Sequence, residues 1–143
     1  MVQTPRKVVV IGAGTMGSGI AAHLANLGFG VSLLDLTEES AKAAFEKAKK
    51  ARPSHFYVSE TSETIRLGSI SGSLNWIQDA DWVCEAIVEK MDAKKALFAL
   101  IEPVLREDAY ISTNTSGLEI SLLAEGRSAS FRKRFIGTHF FNP

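Results

Sequence analysis

Hydrophobic and polar positions along this chain switch between the two periods that mark strands and helices. Val8, Val9, Val10 and Ile11 form a short, wholly apolar, β-branched run, as expected of a parallel strand buried on both faces. A helical pattern runs from Thr15 to about Leu27, with Ile20, Leu24 and Leu27 on one stripe and alanines between them. Gly28 and Gly30 end it, and Val31 to Leu34 supply a second apolar strand that closes on Asp35. From Thr37 to about Lys50 the pattern is again helical. Thr37 is placed to cap it, Glu38, Glu39 and Ser40 occupy the first turn, and Lys47, Lys49 and Lys50 load its end. Pro53 breaks this helix.

Ala51 to Ser73 carries the weakest pattern; Thr61 to Gly72 reads as a short helix running into a strand with turn glycines. Asp81 to Glu89 reads as the next core strand, with its carboxyl end near Glu85 to Glu89. Lys90 to about Leu100 reads as a helix with Leu97, Leu100 and Ile101 available for burial and Pro103 disturbing its end. Ala109 to Ser112 gives a strand, Leu118 to Ala124 a short helix, and Arg134 to Gly137 a last strand. Strands alternating with helices imply right-handed crossovers and a mainly parallel sheet with helices on both faces. The expected fold is therefore α/β, a doubly wound sheet of the Rossmann type.

The turn after the first strand is the most specific feature. Gly12, Gly14 and Gly17 supply G-x-G-x-x-G between a strand and a helix. The first glycine permits the tight turn, the second lets backbone approach a pyrophosphate, and the third lets helix and strand pack closely. The helix from Thr15 aims its N–H groups and dipole at the phosphates. Asp35 ends the second strand, where a carboxylate accepts hydrogen bonds from the adenosine ribose and repels a 2′-phosphate. Leu36 and Thr37 follow, so no arginine is offered to such a phosphate, and the reading is NAD(H) rather than NADP(H). The competing reading is an α/β domain whose glycine turn holds no nucleotide.

Composition narrows the class. The chain has 143 residues, 45% hydrophobic and 22% charged, enough for one domain with its own core. Sixteen Asp and Glu balance sixteen Lys and Arg, which argues against a nucleic-acid footprint or a membrane-binding face. No apolar run approaches the roughly 20 residues that span a bilayer. The single cysteine, Cys84, excludes an intrachain disulfide and a Cys-based metal site, and it lies in an apolar run where a thiol is inert. These features suit a cytoplasmic protein without a metal.

In parallel sheets, ligands gather outside the carboxyl ends of the strands. That rule brings the glycine turn, Asp35, Glu89, Ser116 and His139 to one edge. His139 follows the last strand, and an imidazole can act as general base for alcohol oxidation. Ser116 could hold the substrate oxygen, and Asn142 could orient nicotinamide or a carbonyl. Each has a structural alternative: His139 as a packing residue, and Asn114-Thr115-Ser116 as a capping turn for the next helix. His23 and His55 carry no motif. The lysines at 47, 49 and 50 read as a solvated helix end or as a patch for coenzyme A phosphates.

Gly12-Ala13-Gly14-Thr15-Met16-Gly17, Glu85-Ala86-Ile87-Val88-Glu89, Asn114-Thr115-Ser116 and His139-Phe140-Phe141-Asn142-Pro143 stand in the order found in the 3-hydroxyacyl-CoA dehydrogenases. Together they resemble the NAD-binding domain of that family over nearly the whole chain. Asp81-Trp82 and Asn114 to Gly117 look most like large bacterial fused fatty-acid oxidation proteins. The resemblance implies reversible oxidation of an L-3-hydroxyacyl-CoA to the 3-ketoacyl-CoA in β-oxidation, with an acyl-CoA thioester as substrate. It implies His139 as catalytic base and Ser116 as a residue touching both substrate oxygen and cofactor. It also implies cofactor positions at Met16, Asp35, Glu89, Lys94 and Asn142, beside Gly12, Gly14, Thr15 and Gly17 of the turn. By spacing alone Lys94 reads as a solvated helix lysine.

In the family, a downstream glutamate orients the histidine and a helical domain completes the substrate site and dimerises. Residues 1–143 then read as the NAD-binding domain without that helical domain, with Glu119 and Glu125 no substitutes on motif grounds. Such a fragment is expected to bind NAD(H), to be nearly inactive alone, and to associate through a face carrying Phe140 and Phe141. The alternatives are another NAD-dependent hydroxyacid dehydrogenase and a nucleotide-binding module without catalysis.

Overall fold

A computed structural model describes residues 5–141 of the chain. Six strands form one sheet in the order β3-β2-β1-β4-β5-β6, with every pairing parallel. The strands are β1 Lys7–Ile11, β2 Gly30–Asp35, β3 Arg66–Ser69, β4 Trp82–Glu85, β5 Tyr110–Thr113 and β6 Phe135–Gly137. The helices are α1 Thr15–Asn26, α2 Glu38–Lys49, α3 Leu74–Gln78, α4 Met91–Ile101, α5 Ile120–Leu123 and α6 Ala129–Arg134. This is the doubly wound α/β architecture expected from the sequence. The strand order reverses between β1 and β4, where such sheets open a crevice for ligand.

Alternation along the strands divides the core into two layers. Val8 and Val10 face α1 and α2, meeting Ile20, Leu24, Ala41 and Phe45. Val9 and Ile11 face the other way, against Ile77, Leu97, Phe98, Ile101 and Phe131. The all-apolar run of β1 is thus the signature of a central strand covered on both sides. On the second face Phe98 sets its ring edge to face against Phe131 and Phe135, at 5.6 and 5.0 Å between centroids.

Local chemistry sets the element ends. Leu27 is the last residue before Gly28, which takes φ +87°, and the N–H groups of Gly28 and Phe29 return to the carbonyls of Ala25 and Leu24. That left-handed stop is why a glycine stands there. Thr37 and Ser40 form a reciprocal capping box at the start of α2.

The structure refines the sequence reading at its element ends. β4 stops at Glu85, the near limit of the end expected between Glu85 and Glu89, where the Glu85 carboxylate accepts the N–H of Ile87 at 2.6 Å and turns the chain off the sheet. Arg134 belongs to the end of α6, not to the last strand; its guanidinium donates to the carbonyls of Arg106 and Ala109. The short helix α3, unassigned from sequence, lies between the glycine turns and β4. Among the described residues no helix is long and apolar enough to cross a membrane, and no cluster of His, Cys, Asp and Glu is placed to hold a metal.

Candidate coenzyme site

The glycine turn is built by contacts that admit no side chain. Gly12 takes φ +105°, and a Cβ there would lie 2.5 Å from the carbonyl oxygen of Ala86. A Cβ on Gly17 would lie 1.6 Å from the carbonyl oxygen of Gly12. Gly14 is different: a Cβ there would meet nothing within 4 Å, so its backbone faces open space. The buried Ser18 hydroxyl donates to the Ala13 carbonyl at 2.9 Å and stiffens the turn from behind. No side chain caps the N-terminus of α1, and its first turn carries no acid. Free amide donors and the positive end of the helix dipole are thus directed at the space in front of Gly14, an arrangement suited to a pyrophosphate.

That space is a cleft of about 1080 Å³ running along the carboxyl ends of the strands. This is about the upper limit usual for small-molecule sites. At the end marked by β2 and β3 lie Asp35, Leu36 and Ile70, and Leu97 and Leu100 of α4 also line the cleft. At the other end lie Glu89, Asn114, Ser116 and His139. Gly12, Gly14, Thr15 and Met16 line the middle. The carboxylate of Asp35 accepts the N–H of Ala13 at 3.1 Å and of Leu36 at 2.7 Å, which holds it at the mouth of the turn. These features fit a dinucleotide: an acid for ribose hydroxyls, an apolar slot for a base, and backbone amides for phosphates.

Glu89 organises the far end. It accepts the Thr115 hydroxyl, the Ser116 N–H at 3.1 Å and the Gly117 N–H at 3.0 Å. Partial burial pushes its pKa up. The hydrogen bonds from Thr115, Gly117 and Ser116 and the charge of Lys94 outweigh that and bring it down to about 2. Thr115 also accepts the Leu118 N–H at 3.2 Å, so the 114–117 segment is a closed turn. It does not cap the following helix, whose N-cap residue is Glu119, with no side-chain bond to the helix's first backbone N–H groups. Asn114 accepts the N–H of Phe140 at 2.8 Å and so ties the segment carrying His139 to β5. His139 and Ser116 are both exposed to the cleft, and the His139 ring stacks at a tilt on Phe141, 4.5 Å between centroids.

Two residues named from sequence do not line the cleft, and one lies outside the described residues. Lys94 is fully buried beneath the cleft rather than solvated on a helix face, paired with Glu85 at 2.6 Å and with Glu89 at 3.4 Å. Gly17 packs against Gly12 behind the turn and serves the site by that contact. Asn142 is the residue outside the description. Lys49 pairs with Glu46 at 2.7 Å, and none of Lys47, Lys49 and Lys50 reaches the cleft. Cys84 is buried, and burial pushes its thiol up to about 11, which matches an inert thiol. His23 lies on α1 with its ring edge toward Phe140. Phe140 is half-buried rather than exposed; Phe141 is the exposed one.

Sequence reasoning missed Glu85, Asn114 and Thr115 as organisers. Only the strand-end position of Glu85 and the turn chemistry of Asn114-Thr115 signalled them.

Comparison with known proteins agrees with this geometry. Residues 7–143 match the family model of the 3-hydroxyacyl-CoA dehydrogenase NAD-binding domain. A probable 3-hydroxyacyl-CoA dehydrogenase of Deinococcus radiodurans is 46% identical over 145 aligned residues, covering 96% of this chain and 42% of the relative. A putative fatty acid oxidation complex trifunctional enzyme of Rickettsia felis is 41% identical, covering 96% of this chain and 20% of that protein. The crystal structure of 3-hydroxybutyryl-CoA dehydrogenase from Escherichia coli superposes with a TM-score of 0.81 at 31% identity, covering 99% of this chain and 30% of that one. The chain therefore spans less than half the length of these relatives. It belongs to the family of 3-hydroxyacyl-CoA dehydrogenase NAD-binding domains.

Proposed function

We propose that this chain is the coenzyme domain of an enzyme that oxidises an L-3-hydroxyacyl-CoA to the 3-ketoacyl-CoA with NAD⁺, as a step of fatty-acid β-oxidation. One observation carries the reading: His139 and Ser116 stand at one end of a cleft whose other end presents Asp35 and whose middle is the glycine turn. NAD⁺ held at the glycine turn and Asp35 would supply the acceptor for the hydride leaving C3 of the substrate. The imidazole of His139 takes the hydroxyl proton, and the Ser116 hydroxyl donates to the same oxygen as it becomes a carbonyl. Gly12, Gly14, Thr15, Met16 and Asp35 bind the coenzyme directly, Glu89 orders the turn beneath it, and Gly17 and Lys94 support those contacts from below. The names of the relatives from Deinococcus and Rickettsia support the substrate class and the pathway.

Among the described residues no carboxylate bonds the His139 ring. The chain alone is therefore expected to turn over slowly, since losing the orienting carboxylate of a catalytic histidine costs about 10⁴ in rate in a serine protease. A cytoplasmic setting belongs to the same reading, in keeping with a single cysteine that is buried and unpaired. So does pairing with a second copy through the face bearing Phe141, which is 80% exposed.

The test uses the whole protein that contains this chain. It should oxidise 3-hydroxybutyryl-CoA with NAD⁺ and leave free 3-hydroxybutyrate nearly untouched, and His139→Ala should lose at least ~10³-fold in kcat. Preference for the free acid would favour a hydroxyacid dehydrogenase instead. Undiminished turnover by His139→Ala would remove the proposed base.

A further inference from the structure

Glu85 is the last residue of β4, and the coenzyme reading gives it no task. It is fully buried, as is Lys94. One carboxylate oxygen accepts both the Lys94 ammonium at 2.6 Å and the Ile87 N–H at 2.6 Å, and the other accepts the Thr113 hydroxyl. Lys94 extends the line. Its ammonium lies 3.4 Å from the Glu89 carboxylate and 3.4 Å from the Ile87 carbonyl oxygen. Glu89 then takes the Thr115 hydroxyl and the N–H groups of Ser116 and Gly117. An unbroken series of charge contacts and hydrogen bonds runs from beneath the sheet edge to the turn that presents Ser116.

A buried ion pair is a poor way to stabilise a core. Apolar residues of the same size do as well or better, and the pair's better-attested use is to fix one arrangement. Here the arrangement joins three elements: β4 through Glu85, α4 through Lys94 and β5 through Thr113. Lys94 is also the cation beneath Glu89, a carboxylate that lines the cleft where an anionic coenzyme would lie. Lys94 stands between two carboxylates, so the three groups keep one net negative charge, and the ammonium offsets part of the Glu89 charge that faces that ligand. At the other end of the cleft, the Asp35 bonds go to Ala13 and Leu36, outside this network.

On the coenzyme reading above, we propose that Glu85 is a positioning residue for the nicotinamide half of the cleft. It fixes Lys94, Lys94 fixes Glu89, and Glu89 holds the turn from which Ser116 meets the ligand. Its effect falls mainly on that half, because the bonds that anchor Asp35 in the adenosine half go to Ala13 and Leu36.

Calorimetric titration of the chain with NADH and with ADP-ribose separates this role from a general structural one. Glu85→Gln combined with Lys94→Met removes both buried charges together, so neither is left unpaired. That variant should melt within a few degrees of the parent and bind ADP-ribose within about twofold, yet bind NADH at least ~5-fold more weakly. Thr113→Val, a milder change that keeps both charges, should move NADH affinity alone by about two- to threefold in the same direction. Equal weakening of both ligands, or NADH binding unchanged in both variants, would overturn the proposal. A parent chain that binds neither ligand would instead contradict the coenzyme reading, and the proposal would fall with it.

Discussion

The carboxylate of Asp35 accepts the backbone N–H of Ala13 at 3.1 Å, so the end of β2 is bonded to the glycine turn that follows β1. The acid is thereby fixed where adenosine ribose hydroxyls would meet it, and where a 2′-phosphate would meet its charge. Asp35→Ala removes both the acceptor and the repulsion. We expect NADH affinity to fall about 10- to 100-fold, the equivalent of about 1.5–3 kcal/mol for hydrogen bonds to a charged group. NADPH affinity should change little, so the preference between the two should narrow in parallel titrations.

The glycines of the turn should separate folding from binding. Gly17→Ala forces a Cβ against the Gly12 carbonyl oxygen, with no flexible side chain to yield. It should destabilise the chain by more than ~2 kcal/mol and lower the melting temperature measurably. Gly14→Ala points into the cleft, where a Cβ meets no protein atom. It should melt close to the parent while weakening NADH, because the methyl group occupies the space through which a pyrophosphate approaches.

Glu89 predicts an acid-dependent change. Its pKa in the folded chain, about 2, lies below the ordinary glutamate value of about 4.3 in an unfolded one. The ionised form is thus favoured by folding. The stabilisation is fully present above the unfolded value and is lost as pH falls from about 4.5 to about 2. The melting temperature of Glu89→Gln should be below the parent's at neutral pH, and the gap should close across that window. A gap constant with pH would mean that the bonds to Thr115, Ser116 and Gly117 do not depend on the charge.

Much of the fold and half of the site are local in sequence and therefore legible there. The strand–turn–helix unit, the Thr37 cap and the Gly28 stop depend on residues within a turn or two of one another, and Asp35 is marked by its place at the end of the second apolar strand. The chemistry at Lys94 is not local. A lysine on a helix looks solvated until β4 places Glu85 beneath it, nine positions away along the chain, and β5 adds Thr113. The same holds for Asn114, whose partner is the N–H of Phe140. Helices α3 and α6 escape periodicity because a single turn and a half shows no stripe, although Ser128, which accepts the Phe131 N–H at 3.1 Å, marked where α6 begins. The end of β4 stays open between Glu85 and Glu89 in the sequence for a related reason: Ala86, Ile87 and Val88 are as apolar as a strand, and the Glu85 side chain bonding to Ile87 ends it.

Phe141 gives a prediction about association. At 80% exposure beside the cleft it offers apolar surface to a second copy. Sedimentation velocity across a wide concentration range should show reversible association that Phe141→Ser reduces. A monomer at every concentration would count against that surface.

The most direct test is titration of the unmodified chain with NADH and, separately, with NADPH, followed by calorimetry or by the fluorescence of Trp76 and Trp82. The cleft, its free helix amides and the anchored Asp35 carboxylate predict saturable NADH binding, with NADPH at least ~10-fold weaker. Equal affinity for the two, or no NADH binding by a folded chain, would contradict it.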